Sequence, residues 1–254
     1  MNAWAYCNAR GRRGAEDFPE SFGDGGRPVY NDPMSLSGPQ IEKTPEFLRA
    51  FEMFEHSTRN IFLTGRAGTG KSTLLQYFRS STRKNVAVVA PTGVAAVNIK
   101  GQTIHSFFSF RPDITPETAR EVRLRRGQRE LYRNLNAIII DEVSMVRADL
   151  LDCIDAFLRQ NGPDKKKPFG GIQMILIGDL YQMPPVVTGA DREIFGGLYA
   201  SPYFFDAMVF GACEFEFLEL EKIYRQTEDR FIRLLNAVRD NAIRPEDLAL
   251  LNLR

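Results

Sequence analysis

The sequence predicts an α/β fold, a parallel β-sheet covered by helices on both faces. Three observations predict it. Short, continuously apolar runs recur at residues 60–64, 86–90, 137–141, 172–178 and about 215–220, with helical patterns between them. Such runs mark strands buried on both sides, which parallel sheets supply. A glycine-rich stretch, Gly65-Arg-Ala-Gly-Thr-Gly-Lys-Ser72, joins the first run to a helical pattern beginning near Thr73. Acidic residues, Asp141 and Asp179, close two later runs, at the strand ends where such sheets gather ligands.

Composition bounds the function classes. The chain has 254 residues, 43% hydrophobic and 26% charged, enough for one or two domains with real cores. Its 33 basic and 32 acidic residues leave a net charge of +1, so any nucleic-acid interaction must rest on local patches. Cys7, Cys153 and Cys213 match no C-x-x-C pattern and read as free thiols of a reducing compartment. With His56 and His105 the only histidines, a His/Cys metal site is not expected. No apolar run reaches membrane-spanning length, and the N-terminus lacks the apolar centre of a signal peptide. The expectation is a soluble, cytoplasmic protein without a membrane partner.

Residues 1–43 are rich in Gly, Pro, Arg, Asn, Asp and Ser and read as a disordered or loose arm. Met34 offers an alternative start within it. Order begins at Thr44-Pro45-Glu46, a helix N-cap followed by proline at the first helical position. Phe47, Leu48, Phe51 and Phe54 then form an apolar helical stripe. Residues 44–254 form the expected folded domain.

Residues 65–72 have the form G-x-x-x-x-G-K-[ST], between a strand and a helix as that motif requires. Gly65, Gly68 and Gly70 let the backbone turn its N–H groups toward phosphates, and the helix adds the positive end of its dipole. Lys71 would neutralise the β- and γ-phosphates of ATP, and Ser72 would ligate Mg²⁺. Thr69 and Thr73 complete the expected nucleotide-binding set. Asp141 would hold Mg²⁺ directly or through water, and Glu142 would act as general base on the attacking water. Gln182, in Gly178-Asp-Leu-Tyr-Gln-Met-Pro-Pro185, would hydrogen-bond the γ-phosphate or the attacking water. The prolines would stiffen its loop, and a plain Pro-rich turn is the competing reading.

Four stretches stand together: Gly65–Ser72; Ala90-Pro-Thr-Gly-Val-Ala-Ala96 with Thr103-Ile-His-Ser-Phe107; Ile140-Asp-Glu-Val-Ser-Met145; and Gly178–Pro185, followed by Tyr224-Arg-Gln226. The set closely resembles the PIF-type (petite integration frequency) DNA helicases of superfamily 1, subclass B, which are related to RecD-like motors. The resemblance spans about residues 44–254, in the family's order. It implies a RecA-like P-loop NTPase domain, the first motor domain of an ATP-driven enzyme that tracks single-stranded DNA 5′-to-3′. It places Lys71, Ser72, Asp141 and Glu142 on the family's nucleotide site, Gln182 on its γ-phosphate sensor and Arg225 on its arginine finger. Thr92, Gly93, Thr103, His105, Ser106 and Phe107 fall in its DNA-contacting segments. Thr92, Thr103, His105 and Ser106 can donate hydrogen bonds to phosphates. Phe107 and Phe108 can stack on bases or wedge a duplex, or pack in a core. The arginines at 120, 123, 125, 126, 129 and 133, against only Glu121 and Glu130, form either a DNA-backbone patch or a solvated helix face.

The pattern departs from the family in two places. A glutamine that reads adenine commonly precedes the phosphate loop, and residues 44–55 contain none. No counterpart of the family's second motor domain is recognisable, so that half is expected in cis or in trans, and hydrolysis is expected to need it. The competing function is a nucleotide-gated DNA-binding module without turnover. Oligomeric state is not legible.

Overall fold

The computed structural model describes residues 41–189, 197–224, 234, 237–238 and 241–251. The expected loose arm lies outside these except at residues 41–43, which are attached to the domain. Ile41 packs on the core, and Lys43 Nζ donates to the Tyr77 hydroxyl at 3.0 Å.

Six strands form one parallel sheet in the order β3-β2-β4-β5-β1-β6. They are β1 (Asn60–Gly65), β2 (Val86–Ala90), β3 (Gln102–Thr103), β4 (Ala137–Ile140), β5 (Gln173–Ile177) and β6 (Phe215–Leu220). Five lie at the apolar runs; the two-residue β3 is too short to have a sequence signal. In register, Ile61 pairs with Ile175, and Val88 with Ile139.

Side chains along each strand alternate between two cores. Ile61, Leu63, Val88, Ala90, Ile139, Ile175 and Ile177 enter one, under α1 (Pro45–His56), α2 (Lys71–Ser81) and α3 (Gly93–Asn98). Phe62, Val89, Ile138, Ile140, Met174 and Leu176 enter the other. That second core is closed by α4 (Ile104–Phe108), α5 (Pro116–Glu121), α6 (Arg126–Arg133), α7 (Ala148–Asn161) and α8 (Met208–Ala212). Burial on both faces explains why the strands read as unbroken apolar runs. A short helix α9 (Pro245–Leu251) follows β6 in the chain.

Local signals set the helix ends. Thr44 caps α1 by accepting from Phe47 N, with Pro45 in the first turn, a cap worth about 1 kcal/mol. At the N-terminal edge of the sheet, Lys84 Nζ donates to the carbonyls of Phe54 and Ser57 at 2.7 Å each and to Gln173 Oε1 at 2.8 Å. Burial lowers the Lys84 pKa, and these three acceptors satisfy its ammonium. The buried Asp152 carboxylate accepts from Met208 N and Val209 N at 3.0 and 2.9 Å, which ties α8 to α7.

Candidate nucleotide and DNA site

Strand order assembles the site. β4, β5 and β1 are consecutive in the sheet, so the segments leaving their C-terminal ends are neighbours. Those segments carry Asp141 and Glu142, Asp179 and Gln182, and the glycine-rich loop. Residues widely separated in sequence therefore share one edge, the usual ligand edge of such sheets.

The loop is tightly built. A Cβ on Gly65 would lie 2.6 Å from Thr69 Oγ1 and 2.7 Å from the Leu220 carbonyl, so only glycine fits between loop and β6. Gly70, just before α2, has φ 91°, a left-handed conformation that favours glycine. Thr69 is buried, and its hydroxyl donates to the Arg66 carbonyl at 2.9 Å. Lys71 Nζ turns back to the Gly65 and Arg66 carbonyls at 2.6 and 3.1 Å. Ser72 and Thr73 lie exposed on the first turn of α2.

Asp141 is only 7% exposed. Burial, reinforced by the Glu142 charge, pushes its carboxyl up to about 6, while Lys71 pulls the other way. Glu142 has φ 53° and ψ 42°, left-handed for a residue with a side chain, and strain of that kind concentrates at working sites. The ends of β4 and β5 touch: a Cβ on Gly178 would lie 3.0 Å from Val143 N and 3.2 Å from Ser144 N. Gln182 donates Nε2–H to Asp179 Oδ2 at 3.2 Å, and the buried Asp179 also accepts from Tyr181 N through Oδ1 at 3.1 Å.

Arg225, the expected arginine finger, lies outside the described residues. Its neighbour Tyr224 supplies a contact that the sequence did not flag. Tyr224 N donates to the Gly68 carbonyl at 2.8 Å, and its ring passes 3.7 Å from where a Gly70 Cβ would be. Lys222 pairs with Glu42 and sits over the same ring. Only the position of Tyr224 beside Arg225 hinted at this.

The expected DNA-contacting residues lie along the β2–β3 end of the same edge. Thr92 caps α3 by accepting from Ala95 N at 3.2 Å, and Thr103 caps α4 by accepting from Ser106 N at 3.1 Å. Each hydroxyl oxygen is used as an acceptor, which leaves its O–H able to donate. Gly93 opens α3, whose Val94 and Val97 are each 76% exposed. Ser106 is exposed. His105 is half-buried; burial and the nearby Arg147 lower its pKa and favour the neutral ring. Phe107 is partly buried, edge-on to Phe108 and Tyr132, and its carbonyl accepts from the Tyr132 hydroxyl at 2.5 Å. Phe108 is fully buried against Phe157, so of its two sequence readings the core one holds. The side chains of Arg120, Arg123, Arg125, Arg129 and Arg133 are exposed on α5, α6 and the turn between them.

Comparison with known proteins agrees with this geometry. The family model described as PIF1-like helicase matches residues 47–247. The chain is 40% identical over 183 residues to the mouse ATP-dependent DNA helicase PIF1, covering 71% of this chain and 27% of that protein. It superposes on Bacteroides Pif1 bound to single-stranded DNA with a TM-score of 0.77 at 40% identity, covering 84% of this chain and 49% of that one. For Candida albicans Pif1 the TM-score is 0.71 at 33% identity, covering 82% and 46%. The chain thus spans about a quarter of the mouse protein and about half of those solved chains. These are RecA-like helicase domains, the fold class expected from the apolar runs. With the family's motifs in order and gathered on one sheet edge, the chain belongs to the PIF1-like helicase family.

Proposed function

We propose that residues 44–254 form the first motor domain of an ATP-driven DNA helicase that moves 5′-to-3′ along single-stranded DNA. One observation carries the reading: the nucleotide segments and the expected DNA segments leave the same edge of one sheet, from adjoining groups of strands, with β2 paired to β4. Nucleotide chemistry at β4-β5-β1 can therefore be felt at β2-β3 through contiguous backbone. A Bacteroides Pif1 structure in complex with ADP-AlF3 and single-stranded DNA, to which this chain is 41% identical, supports both ligands.

In this reading Lys71 exchanges the Gly65 and Arg66 carbonyls for the β- and γ-phosphates. Thr69, Ser72, Thr73 and the glycine backbone cradle the phosphates at the start of α2. A divalent cation suits the site, because Asp141 is a buried acid whose charged form needs a counter-ion. Ser72 and Asp141 would hold Mg²⁺, which would neutralise charge on the phosphate oxygens. Glu142 accepts a proton from water as the water oxygen bonds to the γ-phosphorus and the bond to the bridging oxygen of ADP breaks. Gln182 orients that water, and Arg225 meets the charge that develops. Thr92, Gly93, Thr103, His105, Ser106 and Phe107 contact the DNA strand. Turnover requires a second motor domain, in cis or in trans, closing over the exposed first turn of α2. The free thiols Cys153 and Cys213 suit a reducing compartment, and the cytoplasm is the proposed location.

The test is ATP hydrolysis with and without single-stranded DNA, using Lys71→Ala as control. DNA-stimulated turnover lost in the variant is the expected result for a complete site. Nucleotide binding without turnover would instead favour a nucleotide-gated DNA-binding module.

A further inference from the structure

The Gln182 side chain is an amide with two chemically opposite edges. Nε2 donates and Oε1 accepts, and which edge faces a reacting water decides what the residue can do. In an isolated glutamine the two orientations interchange freely. Here one edge is taken. Asp179 Oδ2 accepts from Nε2 at 3.2 Å, and a carboxylate can accept from the amide only through that edge.

Asp179 is itself held. It is 3% exposed, its Oδ1 accepts from Tyr181 N at 3.1 Å, and its own carbonyl accepts from Gln182 N at 3.0 Å. It directly follows Gly178, which packs against the segment after Asp141 and Glu142. The carboxylate is thus fixed to the rigid end of β5 while Gln182 is exposed.

We propose that Asp179 is the positioning residue of this site: it fixes the orientation of the Gln182 amide, keeping Oε1 as the edge that accepts from attacking water. The second Nε2 hydrogen remains for a γ-phosphate oxygen. A glutamine so oriented bridges water and phosphate, whereas a flipped one would offer a donor to a water that must itself donate. The proposal rests on the reading of Gln182 as the residue that meets the γ-phosphate and water.

The test compares the affinity of the chain for ADP with aluminium fluoride and Mg²⁺ against its affinity for ADP with Mg²⁺. It uses wild type, Asp179→Asn, Gln182→Ala and the double variant. Asparagine can still accept from Tyr181 N but presents a donor to Gln182, which reverses the amide. Wild type should prefer the fluoride complex by about tenfold or more. Asp179→Asn and Gln182→Ala should each lose most of that preference with ADP affinity unchanged, and the double variant should match Gln182→Ala. A merely structural turn would lower both affinities together and shift the melting temperature. Should Asp179→Asn fold poorly, Asp179→Ser keeps a hydroxyl acceptor for the turn but falls short of Gln182.

Loss in Gln182→Ala with full preference in Asp179→Asn would overturn the role of Asp179. Full preference in Gln182→Ala, or none in wild type, would overturn the reading of Gln182 and the proposal with it.

Discussion

Tyr224 donates its backbone N–H to the Gly68 carbonyl at 2.8 Å, so the chain leaving β6 is stitched to the loop that follows β1. The stitch sets the ring beside Gly70, where 40% of Tyr224 remains exposed. An aromatic face at the mouth of a phosphate loop is suited to stacking on a nucleotide base. With no glutamine in residues 44–55 to read adenine, this face becomes the available recognition element. Tyr224→Ala should weaken ADP binding about 5–30-fold, corresponding to the ~1–2 kcal/mol of one stacking contact, and leave inorganic triphosphate binding unchanged. Competition titrations with the two ligands check it. Equal loss for both would mean that the ring only props the loop.

Gly178 leaves no room for a side chain. The atoms facing its missing Cβ are Val143 Cγ1 and N at 3.0 Å and Ser144 N at 3.2 Å, and backbone cannot yield as a flexible side chain does. Gly178→Ala should cost about 1–3 kcal/mol, read as a lower thermal midpoint. An unchanged midpoint would mean that the 143–145 turn can move away from β5.

Ser144 is the described buried residue whose side-chain hydroxyl lacks a hydrogen-bond partner, at 1% exposure. A buried hydroxyl without a partner costs stability, so removing it relieves that cost. Ser144→Ala should be neutral or stabilising by up to about 1 kcal/mol in thermal melts. A clear loss would show that the hydroxyl is bonded in solution, to an ordered water.

Asp141 gives the stability a pH dependence of known sign. Its carboxyl is raised from 3.8 to about 6 in the folded chain, so between those values the folded state binds more protons than the unfolded one. Stability from this residue is therefore highest below the unfolded value and falls as pH rises to about 6, after which the full penalty persists. Asp141→Asn removes the penalty. It should stabilise the chain by up to about 3 kcal/mol at pH 8 and much less at pH 4, while removing the proposed cation ligand. Parallel melts at the two pH values check this; equal shifts would place the cause outside titration.

The apolar runs located five strands, since burial on both faces demands continuous hydrophobicity, and Thr44-Pro45 located the start of α1. The glycine loop and Asp141-Glu142 were legible because their chemistry is local in sequence. What stayed hidden depends on the chain meeting itself. Nothing in Leu220 says that its carbonyl walls off Gly65, nor in Asp179 that it grips Gln182. Phe107 and Phe108 are adjacent and identical as residues, and only the position of α7 decides that Phe108 is sealed against Phe157 while Phe107 keeps a partial surface.

The position of β1 carries a consequence in time. β1 pairs on one side with β5 and along its whole length with β6, ending at Gly65 opposite Leu220. Ribosomes add about 5–20 residues per second, so the loop with its lysine emerges many seconds before the strand that walls it. Phe62 and Leu63 have neither neighbour until β5 is made and still lack β6 until residue 220, so the nascent chain carries the whole glycine-rich motif before the wall of its loop exists. The loop gains its Leu220 wall and its Tyr224 contact only once the chain has been synthesised through Tyr224.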